Sequence, residues 1–375
     1  MNGSKGFPKT VAMYLPQFHV IPENNMWWGE GYTEWTAVKA AKPLYEGHEQ
    51  PQVPYNYNYY NLLDKSTMKW QAELAKEYGI YGFCFYHYWF ENGMKILEKP
   101  AENLREWSDI KLPFCFCWAN ENWTRTWDGL EKHVLISQNY DENWDEMKQH
   151  FDYLLPFFKD ERYIKHEGKP IIIIYKPFLI QNIEKQIACW NELAQEAGFP
   201  GLYWGFQYPE SFEYPHIKKA FDFGIEFEPL YSAWESSSLK AGKTRSNKIK
   251  YALTHPMYLF NLIIRNLPGL PKFISYRQTW HAILNREYEK KHMPGAFPAW
   301  DNTPRRGRSA NVWYGASPKL FSKYLSRHIS RIKKEWKTDY LFINAWNEWA
   351  EGAHLEPDEH NGYAYLEAVK KAVQE

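Results

Sequence analysis

The order of apolar and amphipathic segments constrains this 375-residue chain more than any single motif does. Strand-like runs recur at Thr10–Leu15, Gly79–Tyr86, Leu112–Trp118, Pro170–Tyr175, Leu202–Gln207, Phe221–Phe227, Ala296–Trp300 and Tyr340–Ala345. Several, such as PIIIIY, are continuous rather than alternating, the pattern of parallel strands covered on both faces. Amphipathic segments separate them at Lys65–Tyr78, Met94–Glu106, Glu142–Phe158, Ile183–Ala197 and Pro318–Trp336, and Tyr363–Val373 follows the last. Repeated βα units follow from this order. The expected fold class is α/β, a (β/α)8 TIM barrel, with a doubly wound open sheet as the alternative. No GxGxxG or GxxxxGK[ST] follows the first strand, which weighs against the open sheet. Two stretches exceed a minimal barrel: Pro16–Tyr60 after strand one and 229–292 after strand six, the latter with helical patches at His255–Asn266 and Gln278–Lys291. Loops this long are uncommon unless functional.

Charge and composition narrow the classes of function. The 45 basic and 45 acidic residues cancel, so the chain has no electrostatic footprint for a nucleic-acid backbone. No apolar run is long enough for a transmembrane helix. The start, MNGSKGFPKTVAMYLPQF, lacks an apolar signal core, and Cys84, Cys115, Cys117 and Cys189 form no CxxC pair. Buried, reduced thiols and a cytoplasmic location are expected. Aromatic residues make up 18% of an otherwise hydrophilic chain, more than a core alone calls for. Rings with a polar edge suit a wet cleft.

In a barrel the informative polar residues follow the strands. The candidate substrate contacts at or near strand ends are Tyr14 and His19 after strand one, and His87, Tyr88 and Trp89 after strand two. Trp118, Asn120, Glu121 and Trp123 follow strand three, Tyr175 strand four, Gln207 strand five, and Glu226 and Glu228 strand six. Trp300, Asp301 and Arg305 follow strand seven, Trp346 and Asn347 follow the last strand, and Glu34 and Trp35 lie in the first long loop. Glu348 and Glu351, three apart beside Trp346 and Trp349, are the best catalytic pair. Glycosidic cleavage needs two carboxyl groups, and crowding them raises one pKa until an acid stays protonated near neutrality.

The segment FINAWNEWAEGAHLEPD (Phe342–Asp358) resembles the C-terminal signature of glycoside hydrolase family 99, the endo-α-mannosidase and endo-α-mannanase family. MYLPQFH, WWGEGYTEW, YGFCFYHYWF and AWDNTPRR look more specifically like the WbsX group, a family-99-like set found with bacterial surface-polysaccharide genes and often labelled as glycosyltransferases. These motifs span Met13 to about Asp358. The resemblance implies that Glu348 acts as a base on the sugar's own 2-hydroxyl, giving a 1,2-anhydro intermediate. It implies that Glu351 is general acid and then general base, with overall retention, on manno- or rhamno-configured residues of a surface polysaccharide. Residues 1–375 then form one catalytic domain.

Competing readings accompany each feature. Glu348 and Glu351 could instead be solvated carboxylates or buttress Arg305; Glu226 and Glu228 suit substrate binding or a salt bridge equally. Asp301 with Arg305 reads more readily as an ion pair than as a catalytic element. His87 could be a satisfied barrel-mouth histidine, and no HxH or HExxH spacing suggests a metal, so no cofactor is expected. Residues 236–292 carry eleven Lys/Arg against two acidic residues, a covering lid or a docking element for an anionic membrane or lipid-linked glycan. Beside a hydrolase stand two alternatives: a glycosyltransferase or transglycosylase, and a non-catalytic carbohydrate-binding protein.

Overall fold

The computed structural model describes residues 7–125, 130–138, 140, 143–207, 219–241, 270–336 and 338–374. Nine short parallel strands form the wall: β1 (Lys9–Tyr14), β2 (Gly82–Trp89), β3 (Phe114–Trp118), β4 (Lys169–Ile174), β5 (Tyr203–Gln207), β6 (Phe223–Ile225), β7 (His292–Met293), β8 (Gly295–Ala296) and β9 (Tyr340–Ile343). Neighbours pair in turn from β1 to β7, β8 pairs with β9, and β9 pairs with β1 at Lys9↔Tyr340 through Ala12↔Ile343. β7 pairs with β6, β8 pairs with β9, and only Pro294 separates the two halves. The two halves fill one position, so the ring is the expected eight-position α/β barrel, broken only at the proline. Proline has no N–H to give to a ladder.

The helices follow from capping and patterning. They are α1 (Pro22–Trp28), α2 (Glu34–Ala40), α3 (Lys65–Glu77), α4 (Lys99–Glu106), α5 (Trp144–Phe158), α6 (Ile183–Glu196), α7 (Leu230–Ala241), α8 (Tyr276–Asn285), α9 (Thr303–Arg306), α10 (Pro318–Arg331) and α11 (Ala364–Gln374). In α5 the Asn143 side chain accepts from the Asp145 amide, and Phe151, Leu154, Phe157 and Phe158 form the buried face. In α10 Ser317 caps the Leu320 amide, Pro318 occupies the first turn, and Phe321, Leu325 and Ile329 face inward. The strand bodies are correspondingly dry: all of FCFCW in β3 is buried, and the four cysteines are free and buried.

The seventh strand lies upstream of its expected position. AFPAW was the apolar run, yet the strand is His292–Ala296, which has no such run. A Cβ on Gly295 would stand 1.7 Å from the Glu226 carbonyl oxygen, so only glycine fits where this short wall crosses the end of β6. Residues 297–300 instead form the loop over the barrel mouth. In the long insertion, the helix expected at Gln278–Lys291 is α8, ending earlier at Asn285. The patch at His255–Asn266 and residues 242–269 of the basic 236–292 segment lie outside the described residues.

Candidate active site

The candidate pair is built by one tight turn after β9. Asn347 reaches across to β1, its Oδ1 accepting from the Leu15 amide at 2.8 Å and its Nδ2 donating to the Leu15 carbonyl at 2.9 Å. The chain then makes a 3-10 turn, Trp349–Glu351, with Glu348 at its N-cap. Residues three apart fall on the same side of such a turn, which aims both carboxyl groups one way. Gly352 ends the turn at φ 58°, where a Cβ would meet the Asp301 backbone, and the Asp301 amide donates to the Glu351 carbonyl at 2.7 Å.

Arg305, on α9, receives both. Its Nη1 donates to Glu351 at 2.6 Å, and its Nη2 donates to Glu348 at 2.8 Å and to Glu34 of α2 at 2.7 Å. One guanidinium therefore serves three carboxyl groups in a nearly buried place. Burial pushes Glu348 up to about 8, aided by the nearby Glu351 and Glu34 and opposed by Arg305. Burial raises Glu34 as well. The crowding and burial together favour a proton being retained within the cluster.

The pair opens on a cleft of about 2050 Å3, counting space open to solvent. Arg305, Glu348 and Glu351 line it together with rings from five strand ends: Tyr86, Tyr88, Trp123, Tyr175, Phe227 and Trp300. Trp123 packs edge-on against Tyr88, and Tyr86 edge-on against Tyr175. At the rim Lys176 pairs with Glu121 at 2.7 Å. The cleft thus offers ring faces, hydrogen-bond partners and a proton-bearing carboxyl pair at the C-terminal ends of the strands, where barrel active sites are built.

Of the residues expected at the cleft, Tyr88, Glu121, Trp123, Tyr175, Trp300, Arg305, Glu348 and Glu351 line it. The others serve elsewhere. Tyr14 points out to the helix layer and donates to Gln71 of α3, because strand residues alternate sides and Leu15 takes the cleft. Trp346 is fully buried against Phe83, and Asn347 is the strut to β1. Trp35 donates to the Tyr60 carbonyl beneath Trp349, and both it and His19 face an outer groove; burial takes His19 down to about 4.

His87 bonds His150 at 2.8 Å, with Trp89 stacked on His150 and Trp118 edge-on to it, so this trio lies beside the cleft. Burial lowers His87 to about 3. Asn120 clamps the backbone of Lys176 through both ends of its amide. Gln207 donates to Cys117 inside the barrel. Asp301 does not form the expected pair with Arg305, whose guanidinium goes to Glu34, Glu348 and Glu351; it bonds His48 at 2.7 Å and accepts from Gln50 Nε2 at 3.0 Å. Glu226 and Glu228 are both fully buried beneath the insertion, where Arg286 pairs with them at 2.5 and 2.9 Å. They are a salt bridge, not substrate ligands.

Glu356 was not among the candidates, although its signal lay in the motif as the carboxylate after the two indoles. Its carboxyl group accepts from Tyr60 Oη, Gln71 Nε2, Trp346 Nε1 and Trp349 Nε1, at 2.7 to 2.9 Å. The two indoles that flank Glu348 thus share one buried anchor. Burial raises Glu356 to about 7 against the pull of these four donors.

The family described as Glycosyltransferase WbsX matches residues 10–369, and the chain belongs to it. Two proteins named "Uncharacterized protein WxcX", from two strains of Xanthomonas campestris pv. campestris, are 35% identical over 366 residues and 36% over 372. Each match covers 97% of this chain, which spans about half the length of these curated relatives. In three dimensions the chain resembles a glycoside hydrolase family 99 endo-α-mannosidase from Bacteroides thetaiotaomicron, with TM-score 0.53, 14% identity, and coverage of 98% of this chain and 96% of the other. It also resembles a "Glycoside hydrolase-like protein", with TM-score 0.58, 13% identity, and coverage of 100% and 95%. At such identity the likeness is one of fold.

Proposed function

We propose that this WbsX-family chain is a retaining glycoside hydrolase that cuts α-linked manno- or rhamno-type residues of a bacterial surface polysaccharide. The observation that carries the reading is the Arg305 clamp holding Glu348 and Glu351 side by side at the floor of a ring-lined cleft. Glu348 as carboxylate takes the proton of the sugar's 2-hydroxyl while that oxygen attacks C1. Glu351 protonates the departing glycosidic oxygen. Water then attacks C1 of the 1,2-anhydro sugar, Glu351 takes its proton, and Glu348 returns the other to O2. The cycle needs one proton in the pair at the outset, held by Glu351. Burial favours Glu348 as the holder of that proton. A 2-hydroxyl donating to Glu348, with the Arg305–Glu351 bond opened by substrate, moves it to Glu351.

Leaving-group dependence tests these roles. Glu351→Gln is expected to lose cleavage of sugar–sugar bonds but keep that of a glycosyl fluoride, which needs no acid. Glu348→Gln loses both. The opposite pattern reverses the assignment.

The family's description favours a second reading, transfer in place of hydrolysis. Turnover in 18O water separates the two: hydrolysis puts one 18O at each new reducing end, and transfer to a sugar hydroxyl puts none.

A further inference from the structure

Outside the cleft, the loop after β1 carries the sequence Tyr55-Asn56-Tyr57-Asn58-Tyr59-Tyr60, and its outer side forms an open groove of about 870 Å3. The rings of Tyr55, Tyr57, Tyr59, Trp70 and Tyr363 line this groove with the amides of Asn56 and Asn58, and none of these groups is charged. Tyr57 is 71% exposed. Water does not favour such a placement for a ring, and the backbone beneath it is costly too. Asn56 and Tyr57 both take left-handed conformations, at φ 54° and 56°. Asparagine tolerates that region; tyrosine does so at a cost of about 1–2 kcal/mol.

The loop is held in this shape. The Tyr55 amide donates to the Pro357 carbonyl at 2.9 Å, the Glu359 amide to the Val53 carbonyl at 2.9 Å, and the Asn56 amide to the Glu359 carboxylate at 2.5 Å. Its last residue, Tyr60, is the one that bonds Glu356. The rings are therefore fixed to the segment that follows the catalytic turn. A second groove, of about 1000 Å3, continues from the other side of Tyr59 past Thr36 and Trp35 to His19. Tyr59 is the wall common to both, braced by Trp35 edge-on at 5.1 Å and Lys39 at 4.0 Å.

We propose that this tyrosine-asparagine track is a second carbohydrate-binding site, which holds a neutral stretch of polysaccharide away from the bond being processed. Ring faces take the C–H side of a sugar, and flanking amides and phenol hydroxyls take its equatorial hydroxyls. An uncharged lining excludes phosphate-rich partners such as nucleic acid or an anionic membrane. Its amides and hydroxyls suit a hydrated ligand better than an apolar protein face. A loop backbone already held in place binds with less ordering cost. The inference rests on the reading that the chain handles a polysaccharide, but not on which reaction it performs.

Affinity electrophoresis of the full chain tests it, through gels containing soluble yeast α-mannan or a rhamnose-rich bacterial O-polysaccharide. Retardation by at least one polymer is expected, with apparent affinity roughly tenfold lower in Tyr57→Ala and in Tyr363→Ala, the size of one or two ring contacts. Glu351→Gln is expected to be retarded as wild type is, and Tyr57→Ala is expected to turn over short oligosaccharides at the wild-type rate. Absence of retardation in both gels overturns the proposal, as does retardation that survives both tyrosine variants. Failure of the hydrolase reading shows separately, as absent turnover in a chain whose retardation remains Tyr57-dependent.

Discussion

Two clusters of the same composition sit at the ends of barrel strands. After β9, Arg305 meets Glu34, Glu348 and Glu351; after β6, Arg286 meets Glu226, Glu228 and Glu235. Each sets three carboxyl groups against one guanidinium. In the first, Arg305, Glu348 and Glu351 all line the cleft. The second is closed over by the insertion, and its spare hydrogen-bonding capacity goes to the protein: Ser232 donates to Glu228 and His292 bonds Glu226. Arg286 lies just after α8, so its pairs pin the insertion to the barrel. The charge inventory does not separate a reactive site from an anchor. What separates them is whether the carboxyl oxygens are left for a ligand or used up internally.

The comparison breaks most sharply under neutralisation. Glu348→Gln and Glu351→Gln are each expected to lower kcat on polysaccharide by roughly 10²–10⁴. Glu226→Gln leaves kcat within a few-fold and lowers the melting temperature. Initial rates and thermal unfolding of the same preparations decide it, and a rate collapse in Glu226→Gln would merge the two clusters into one function.

Removing each arginine comes next. Arg286→Met strands fully buried carboxylates and is expected to cost about 3–5 kcal/mol in denaturant unfolding. Arg305→Met costs less, because Glu348 and Glu351 can draw on cleft water, but it abolishes turnover.

Acidity sharpens the contrast further. The kcat/KM of the wild-type chain is expected to fall as pH rises through an ionisation near 8, where the pair loses the one proton the cycle needs. Glu228 reports on stability instead. Burial holds it at about 7, above its ordinary 4.5, so between these values the folded state keeps a proton that the unfolded state has lost. Its contribution makes stability fall as pH rises from 4.5 through 7, and Glu228→Gln flattens that slope. The smallest effect belongs to the rim. Lys176→Met breaks a half-exposed pair with Glu121 and is expected to change stability by less than about 1 kcal/mol, with a modest rise in KM.

The barrel was legible because buried parallel strands need continuous apolar runs, and PIIIIY or LPFCFCW can hardly be anything else. The seventh wall element was not. His292–Ala296 has a histidine, a proline and a glycine in five residues, and it is a strand only because its neighbours on both sides supply partners. That Glu348 and Glu351 stand together was legible from motif and spacing. Which rings face the cleft was not, since a one-residue difference in phase, as between Tyr14 and Leu15, sends a side chain to the opposite face. Nor could the chain order show that Glu356 gathers Tyr60, Gln71, Trp346 and Trp349, four donors spread over 290 residues of sequence.

The proline break at residue 294 divides more than a ladder. The piece before it hangs from β6 and from the insertion; the piece after it hangs from β9 and so from the turn that carries Glu348 and Glu351. They are two panels in one frame, each held by a different neighbour. A chain of this kind can lengthen, shorten or exchange the segment between β6 and β7 while only the first panel shifts. The panel beside Glu348 keeps its register, because its pairing runs through β9 alone.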